Sequence, residues 1–309
     1  MKFKILTLLL LSIVVLSCKK ENKVPDVKIE DVIISDSIPP EIEIDSIIVD
    51  SVVIEEPEII TPPKQEKKKA IAKPKKIVHK SNNSYTNSSI KFSPIEHATL
   101  VIEYNNTTIY IDPVGGKETY KNFKSPNFIL ITDIHDDHLD LETLKSINTL
   151  NTIIIGTAAV KNKLPAELLT NYTTMFSGLS RSFSTSKMSL DVEGVAMYNI
   201  RKEAEKYHPK SRGNGYVLTL NNKRIYISGD TEDTFEMRHL KNIDIAFVCM
   251  NLPYTMSVES AASAVLDFKP KQVFPYHYKG TNGFSDVKKF KSIVNKGNKN
   301  IEVIQLDWY

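Results

Sequence analysis

"ILITDIHDDHLD", residues 129–140, is an apolar run that stops at Thr132 and gives way to Asp133, His135, Asp136, Asp137, His138 and Asp140. Two of the chain's seven histidines and four carboxylates thus stand within eight positions. Residues 128–131 read as a short buried strand, so the polar cluster emerges at a strand end. Asp140 follows as the cap of a helix expected over "DLETLKSIN". Strand ends are where α/β folds place their chemistry. Asp133, His135 and Asp137 share one parity and His138 breaks it, a pattern that in a tight loop can aim pairs of ligands at two neighbouring ions. A lone histidine beside acids would be a solvated turn; this cluster points to one half of a metal site.

The other half has to come from distant segments. His97 precedes a strand, His208 lies in the loop "YHPKSRGNG", His277 ends the strand "QVFPYHY", and Asp230 ends "RIYISGD". His239 falls in a helix expected over "EMRHLKNID", where a solvated position explains it. Lys210 and Arg212 beside His208 are equally readable as a solvated loop or as a grip on a phosphate or carboxylate. Tyr254, Met256 and Tyr278 lie near the candidate loops, either packing there or contacting substrate.

Around these residues the patterning is mixed. "TLVIEYNNTTIYIDP" gives two strand-like runs joined by Asn105-Asn106, and "GYVLTLNNKRIYISGD" repeats the design with Asn221-Asn222. Each copy runs through Ile-Tyr-Ile towards an aspartate, Asp112 in the first and Asp230 in the second. The echo predicts a fold built from two similar halves. Helical spacing in "SVESAASAVLDF", capped by Ser257, and in "SDVKKFKSIV" alternates with the short apolar strands "NTIIIGT", "IDIAFVCM", "KQVFPYHY" and "IEVIQL". The class is α/β, with sheet faces covered by helices.

The ordered pieces carry a family resemblance. "DIHDDH" (133–138) resembles the metallo-β-lactamase superfamily motif H-x-H-x-D-H, with Asp133 in place of the first histidine. His208, the "SGDT" of 228–231 and His277 match the later metal-binding motifs in order and rough spacing. "HATLVIEYNNTTIYIDP" further resembles the opening of the branch that contains ascorbate-6-phosphate lactonase and the phospholipase-D-like N-acylphosphatidylethanolamine hydrolases. The resemblance covers about residues 91–309. It implies a four-layer αββα sandwich with the site along one edge. By the same token Asp133, His135 and His208 would hold one metal; Asp137, His138 and His277 a second; and Asp230 would bridge them.

Such a ligand set suits two divalent ions, zinc first, with manganese or iron admitted by the extra carboxylate at Asp133. Asp137 would also orient the attacking hydroxide. His97 either faces the site as a hydrogen-bond donor or caps a strand. The activity implied is hydrolysis of a lactone, phosphodiester or amide, with a small-molecule or lipid-like substrate. A binding or structural envelope lipoprotein that kept the fold and lost the chemistry is the competing reading. RNA-processing relatives carry a large insertion before the last histidine; the 46 residues between Asp230 and His277 leave no room for it.

Composition fits this picture. A net charge of +3 does not call for nucleic acid, and two distant cysteines, Cys18 and Cys249, make neither a disulfide framework nor a cysteine-rich zinc site. "MKFKILTLLLLSIVVLSCKK" reads as a signal peptide and resembles a bacterial lipoprotein signal ending at Cys18, residues 1–18. Residues 19–90 change from an acidic, Pro-interrupted block to a Lys-rich one and then to "SNNSYTNSS"; the expectation is a disordered or extended linker ahead of the domain at 91–309. Together these place the domain at the cell envelope, lipid-anchored and periplasm-facing, at the outer membrane.

Overall fold

The computed structural model describes residues 83–184 and 188–309. The expected signal peptide, Cys18, and the linker up to residue 82 lie outside the described residues. Among those described, two seven-stranded sheets form the framework. The first runs in chain order: β1 (Tyr85–Asn87), β2 (Ile90–Glu96), β3 (Thr99–Tyr104), β4 (Thr107–Ile111), β5 (Phe128–Leu130), β6 (Ile153–Gly156) and β7 (Tyr172–Thr174). The second contains β8 (Ser180–Ser184), β9 (Ser189–Met197), β10 (Gly213–Leu220), β11 (Lys223–Ile227), β12 (Ile245–Val248) and β13 (Gln272–Pro275). A small hairpin, β14 (Lys279–Gly280) with β15 (Gly283–Phe284), stands apart, and β16 (Glu302–Val303) closes the second sheet beside β13.

The two sheets share one plan. Each begins with four antiparallel strands, β1 to β4 and β8 to β11, and continues with three parallel ones, β5–β7 and β12, β13 and β16. The Asn-Asn echo read from the sequence is the β3–β4 hairpin in one sheet and the β10–β11 hairpin in the other. Asn105 turns at φ 54°, and Asn221 and Asn222 at φ 51° and 57°, left-handed conformations that asparagine tolerates better than most residues.

Alternation decides which face each strand buries. In the first sheet Phe128 and Leu130 point into the large core while Ile129 and Ile131 join a separate apolar cluster, and Ile109 and Tyr110 divide the same way. That outer cluster takes Leu144 and Ile147 of α1 (Leu141–Ile147), which Asp140 caps by accepting from the Glu142 and Thr143 amides. Between the sheets the aromatic rings of Phe92, Phe247 and Phe274 meet, with Phe247 stacked on Phe274 at 4.7 Å between centroids. Beyond the second sheet lie α5 (Val258–Phe268) and α6 (Val287–Gly297), with Phe268 edge-on to Tyr226. Helices α2 (Ala158–Lys161), α3 (Lys202–Glu205) and α4 (Phe235–Arg238) are single turns. The order helix, sheet, sheet, helix is the αββα arrangement.

Three expectations are corrected. The helix over "EMRHLKNID" shrinks to α4, because Thr234 caps it and His239 already leaves helical geometry at its C-cap. Ordered structure precedes residue 91: β1 adds a strand, Ile90 is fully buried, and the Tyr85 ring packs edge-on against Phe274. His277 lies two residues beyond the end of β13 rather than within it.

Phe247 is fully buried at the junction of both sheets and the single tryptophan, Trp308. Phe247→Ala should therefore cost about 3–5 kcal/mol of unfolding free energy. Denaturant titration followed by Trp308 fluorescence would measure it, and a loss under about 1 kcal/mol would mean the sheets do not pack on this ring.

Candidate metal centre

The parallel halves of both sheets point the C-terminal ends of β4, β5, β11, β12 and β13 at one place. Asp112 follows β4, the 132–138 loop follows β5, Asp230 follows β11, Asn251 follows β12 and His277 follows β13. His208 comes in from the β9–β10 connection. Backbone conformation helps to aim these side chains: Asp112 and His277 sit at φ 44° and 45°. Gly229, at φ 60°, places Asp230, and a side chain on it would collide with Met197 and crowd Thr132.

His138 is the centre of the arrangement. Its ring is fully buried, and Nδ1–H donates to Asp112 Oδ2 at 2.9 Å. Asp112 is itself fixed by the Thr132 amide at 2.7 Å and the Thr132 hydroxyl at 2.6 Å. With Nδ1 protonated, the lone pair on Nε2 faces the site, 3.6 Å from Asp230 Oδ2 and 3.8 Å from Asp137 Oδ1. A carboxylate behind a histidine in this way is the usual support of a metal-ligating imidazole.

His277 Nε2 lies 3.2 Å from Asp230 Oδ1 and 3.3 Å from Asp137 Oδ2. Ligand atoms bound to one tetrahedral zinc at ~2.0–2.1 Å sit roughly 3.3–3.4 Å apart, so these spacings suit a shared ion. His138 Nε2 and Asp230 Oδ1 are moreover buried without a hydrogen-bond partner. Buried polar atoms are seldom left so, and an ion would satisfy both. The residues fit a metal here.

A second grouping joins Asp133, His135 and His208. His208 Nδ1–H donates to the Tyr254 carbonyl at 3.1 Å, and its Nε2 is another buried atom without a partner, 3.2 Å from Asp230 Oδ2 and 3.8 Å from Asp133 Oδ2. Asp133, fully buried, is held differently. Arg212 grips it with two parallel bonds, Nε to Oδ1 at 3.0 Å and Nη2 to Oδ2 at 2.8 Å. Nη2 also reaches the Tyr207 carbonyl and stands 3.2 Å from His135 Nε2. His135 Nδ1 in turn lies 2.9 Å from Asp133 Oδ2. Of the two readings of Arg212, the carboxylate grip is the one present, and the carboxylate belongs to the protein's own Asp133. Lys210 instead faces solvent, over the Tyr198 ring and 3.5 Å from Glu236.

The remaining candidates fall into place around this. His97 sits at φ 48° just after a register shift in β2, its ring edge-on to His277 at 5.4 Å and to Tyr309 at 5.2 Å. It also groups with Asp137 and His277. Tyr278 packs with Tyr309 and Phe284, Tyr254 contributes its carbonyl to His208, and Met256 is buried core. Asp136 is exposed and His239 stacks on Phe235 away from the site. Sequence reading missed Asp112 as a support, Asn199, whose Nδ2 donates to the carbonyls of Ala204 and Tyr254 in the loop around His208, and Asn251, 3.5 Å from Asp230 Oδ2. The Asn-Asn echo carried a signal for Asp112, since both copies run from Ile-Tyr-Ile towards an aspartate, directly in the first and two residues further on in the second.

Charge reinforces the geometry. Burial, the largest single influence, works against a charged His138 and His277. The surrounding carboxylates outweigh it: Asp230, Asp112 and Asp137 raise His138 well above its ordinary value, and Asp230 and Asp137 lift His277 to about 9. Burial likewise opposes the charge on Asp137 and Asp230, yet the adjoining histidines hold both carboxyls below the usual range. For His97 burial comes first and His277 adds to it, lowering its pKa to about 4, so it stays neutral at pH 7.

Residues 91–277 match the family model described as a Beta-lactamase superfamily domain. The chain belongs to the metallo-β-lactamase superfamily of metal-dependent hydrolases. Within the superfamily it is 29% identical, over 61% of its length and 85% of theirs, to a UPF0173 metal-dependent hydrolase of Listeria welshimeri. The corresponding protein of Listeria monocytogenes is 29% identical over 67% of this chain and 94% of its own. A crystal structure of a Parabacteroides distasonis protein, provisionally named a metal-dependent hydrolase, superimposes with a TM-score of 0.63 at 34% identity, covering 73% of this chain and 98% of that one. Igni18, a metallo hydrolase from Ignicoccus hospitalis, shares the fold with a TM-score of 0.60 at 20% identity, over 71% of this chain and 95% of its own.

Two expectations follow from the His138 and His277 environments. Removing the carboxylate behind His138 by Asp112→Asn should weaken zinc binding roughly 10–100-fold, which competition titration against a chromophoric chelator would read. His277 is raised from 6.5 to about 9 in the metal-free protein, so its contribution to stability is complete below pH 6.5 and lost as the pH climbs through 9. Thermal melts of metal-free protein should fall across that window, whereas metal-loaded protein should not, because the ion takes the place of the protons.

Proposed function

We propose that the protein hydrolyses a lactone, phosphodiester or amide with the help of a divalent ion held by Asp137, His138, Asp230 and His277. The observation that carries this reading is the convergence of two buried, unpartnered ligand atoms, His138 Nε2 and Asp230 Oδ1, with His277 and Asp137 at spacings that suit one ion. Bound there, zinc would supply Lewis-acid polarisation of the scissile group and a water whose pKa is near ~7.

The protein's own groups do the rest. Asp112 keeps a proton on His138 Nδ1, so that Nε2 is the nitrogen left to bind an ion. Asp137 is the half-exposed carboxylate of the set, with two-fifths of its side chain open to solvent, so it can orient an attacking water and accept its proton. His97, neutral at pH 7 and open to solvent on one side, can hydrogen-bond a substrate oxygen at the edge of the site. Beside it, Tyr309 and the exposed Phe284 form an aromatic wall with Tyr278. That wall supports a substrate with an acyl or aromatic portion, consistent with the lactonase-like branch and a lipid-like substrate. The signal-like start and Cys18 support a lipid-anchored position facing the periplasm from the outer membrane, and nothing in the charge balance calls for nucleic acid.

Full-length protein loaded with zinc should hydrolyse at least one of a panel of generic lactone, diester and amide substrates. Asp230→Ala should lose both metal content and turnover; retained metal in that variant would remove Asp230 from the centre. Labelled palmitate should enter the protein in cells and be absent from Cys18→Ser, and equal labelling of both would sink the lipid anchor.

A further inference from the structure

The centre has room for two cations, but one of them is built into the chain. In the grouping of Asp133, His135 and His208 the carboxylate is already engaged by the chain's own guanidinium. A carboxylate oxygen has two lone pairs, and Asp133 Oδ2 uses them on Arg212 Nη2 at 2.8 Å and His135 Nδ1 at 2.9 Å. Asp133 Oδ1 accepts from Arg212 Nε at 3.0 Å. His135 Nδ1 donates to Asp133, and its Nε2 stands 3.2 Å from the cationic Arg212 Nη2, so a metal ion on that nitrogen would lie against the guanidinium. His208 Nε2 keeps a free lone pair, and the carboxylate oxygen nearer to it is Asp230 Oδ2, at 3.2 Å, with Asp133 Oδ2 at 3.8 Å.

Charge gives the same answer. The guanidinium is cationic at every accessible pH and offsets Asp133, so a divalent ion entering this pocket would find its charge balanced only by Asp230, which the neighbouring pocket shares. The neighbouring pocket has Asp137 and Asp230, with Asp112 behind His138 and no guanidinium. Arg212 is also held firmly from behind. Its own carbonyl accepts from Thr157 Oγ1 at 2.7 Å, and its side chain is pinned by the Tyr207 carbonyl.

We propose that the Arg212 guanidinium, paired with Asp133, is the permanent cation of the first pocket, so that the enzyme binds one metal ion, at Asp137, His138, Asp230 and His277. The expected pair of ions is thereby replaced by one ion and one arginine. The substitution of aspartate for the first motif histidine is what creates the partner for that arginine. This rests on the metal-dependent reading above and narrows it to a mononuclear centre in which Arg212 lies beside the ion, able to offer an N–H to a developing oxyanion.

Metal stoichiometry tests it without reference to turnover. Full-length protein saturated with zinc and dialysed should carry about one equivalent by elemental analysis and native mass spectrometry, and the double variant Asp133→His/Arg212→Ala about two. Cobalt-loaded wild type should give the signal of an isolated ion, and the variant that of an exchange-coupled pair. Two equivalents in the wild type, or one in a folded double variant, would overturn the proposal while leaving metal dependence intact. No bound metal in the wild type would instead overturn the metal-dependent reading, and this inference with it. Should the variant fail to fold, the wild-type stoichiometry and cobalt signal decide alone.

Discussion

Everything at the site depends on a single imidazole held from both sides. His138 is clamped between Asp112 at Nδ1 and Asp230 near Nε2, with no water access to either nitrogen. A buried histidine between carboxylates is costly unless a cation balances the charge. The fold therefore fixes an electrostatic demand before any ligand arrives, and the demand has one sign. Protons can meet it, which is why both buried histidines here are drawn towards protonation; a divalent ion meets it better.

The clamp takes one aspartate from each of the two sheets. Asp112 and Asp230 end equivalent strands, β4 and β11, in sheets of the same plan. When the sheets face each other, the two ends come to opposite sides of the β5 loop. The two aspartates take opposite sides of the ring: Asp112 lies 2.9 Å from Nδ1, and Asp230 lies 3.6 Å from Nε2. Asp112 comes directly after its strand and Asp230 three residues after, so the two reach different nitrogens of one ring.

The two pockets flanking Asp230 contrast in the same terms. One concentrates negative charge around unpartnered nitrogens and oxygens. In the other a carboxylate and a guanidinium satisfy each other, and His135 is bound into the pair. A buried ion pair with bidentate geometry is costly to break, since either partner left alone would be an uncompensated charge. This makes Asp133 and Arg212 a unit, 79 positions apart in the chain, that neither residue reveals by itself.

Much of this is legible in the order of the amino acids. The β3–β4 and β10–β11 hairpins, the capped helices α1 and α5, and the strand-end position of "TDIHDDH" follow from local rules: asparagine's tolerance of positive φ, side chains that satisfy free helix amides, and apolar alternation that stops at a polar cluster. Those rules act over a few residues, so the sequence carries them openly. The short strands β1, β7 and β8 are not legible in this way, because strands of three to five residues with few buried side chains are decided by the neighbour they pair with. The same limit applies to the site. Sequence alone determined which residue types gather at strand ends and the order in which they recur. Only the tertiary structure decided that Asp112 supports His138, that Arg212 answers Asp133, and that the Asp133 pocket is already neutral, because hydrogen-bond partners and charge balance are properties of groups brought together in space.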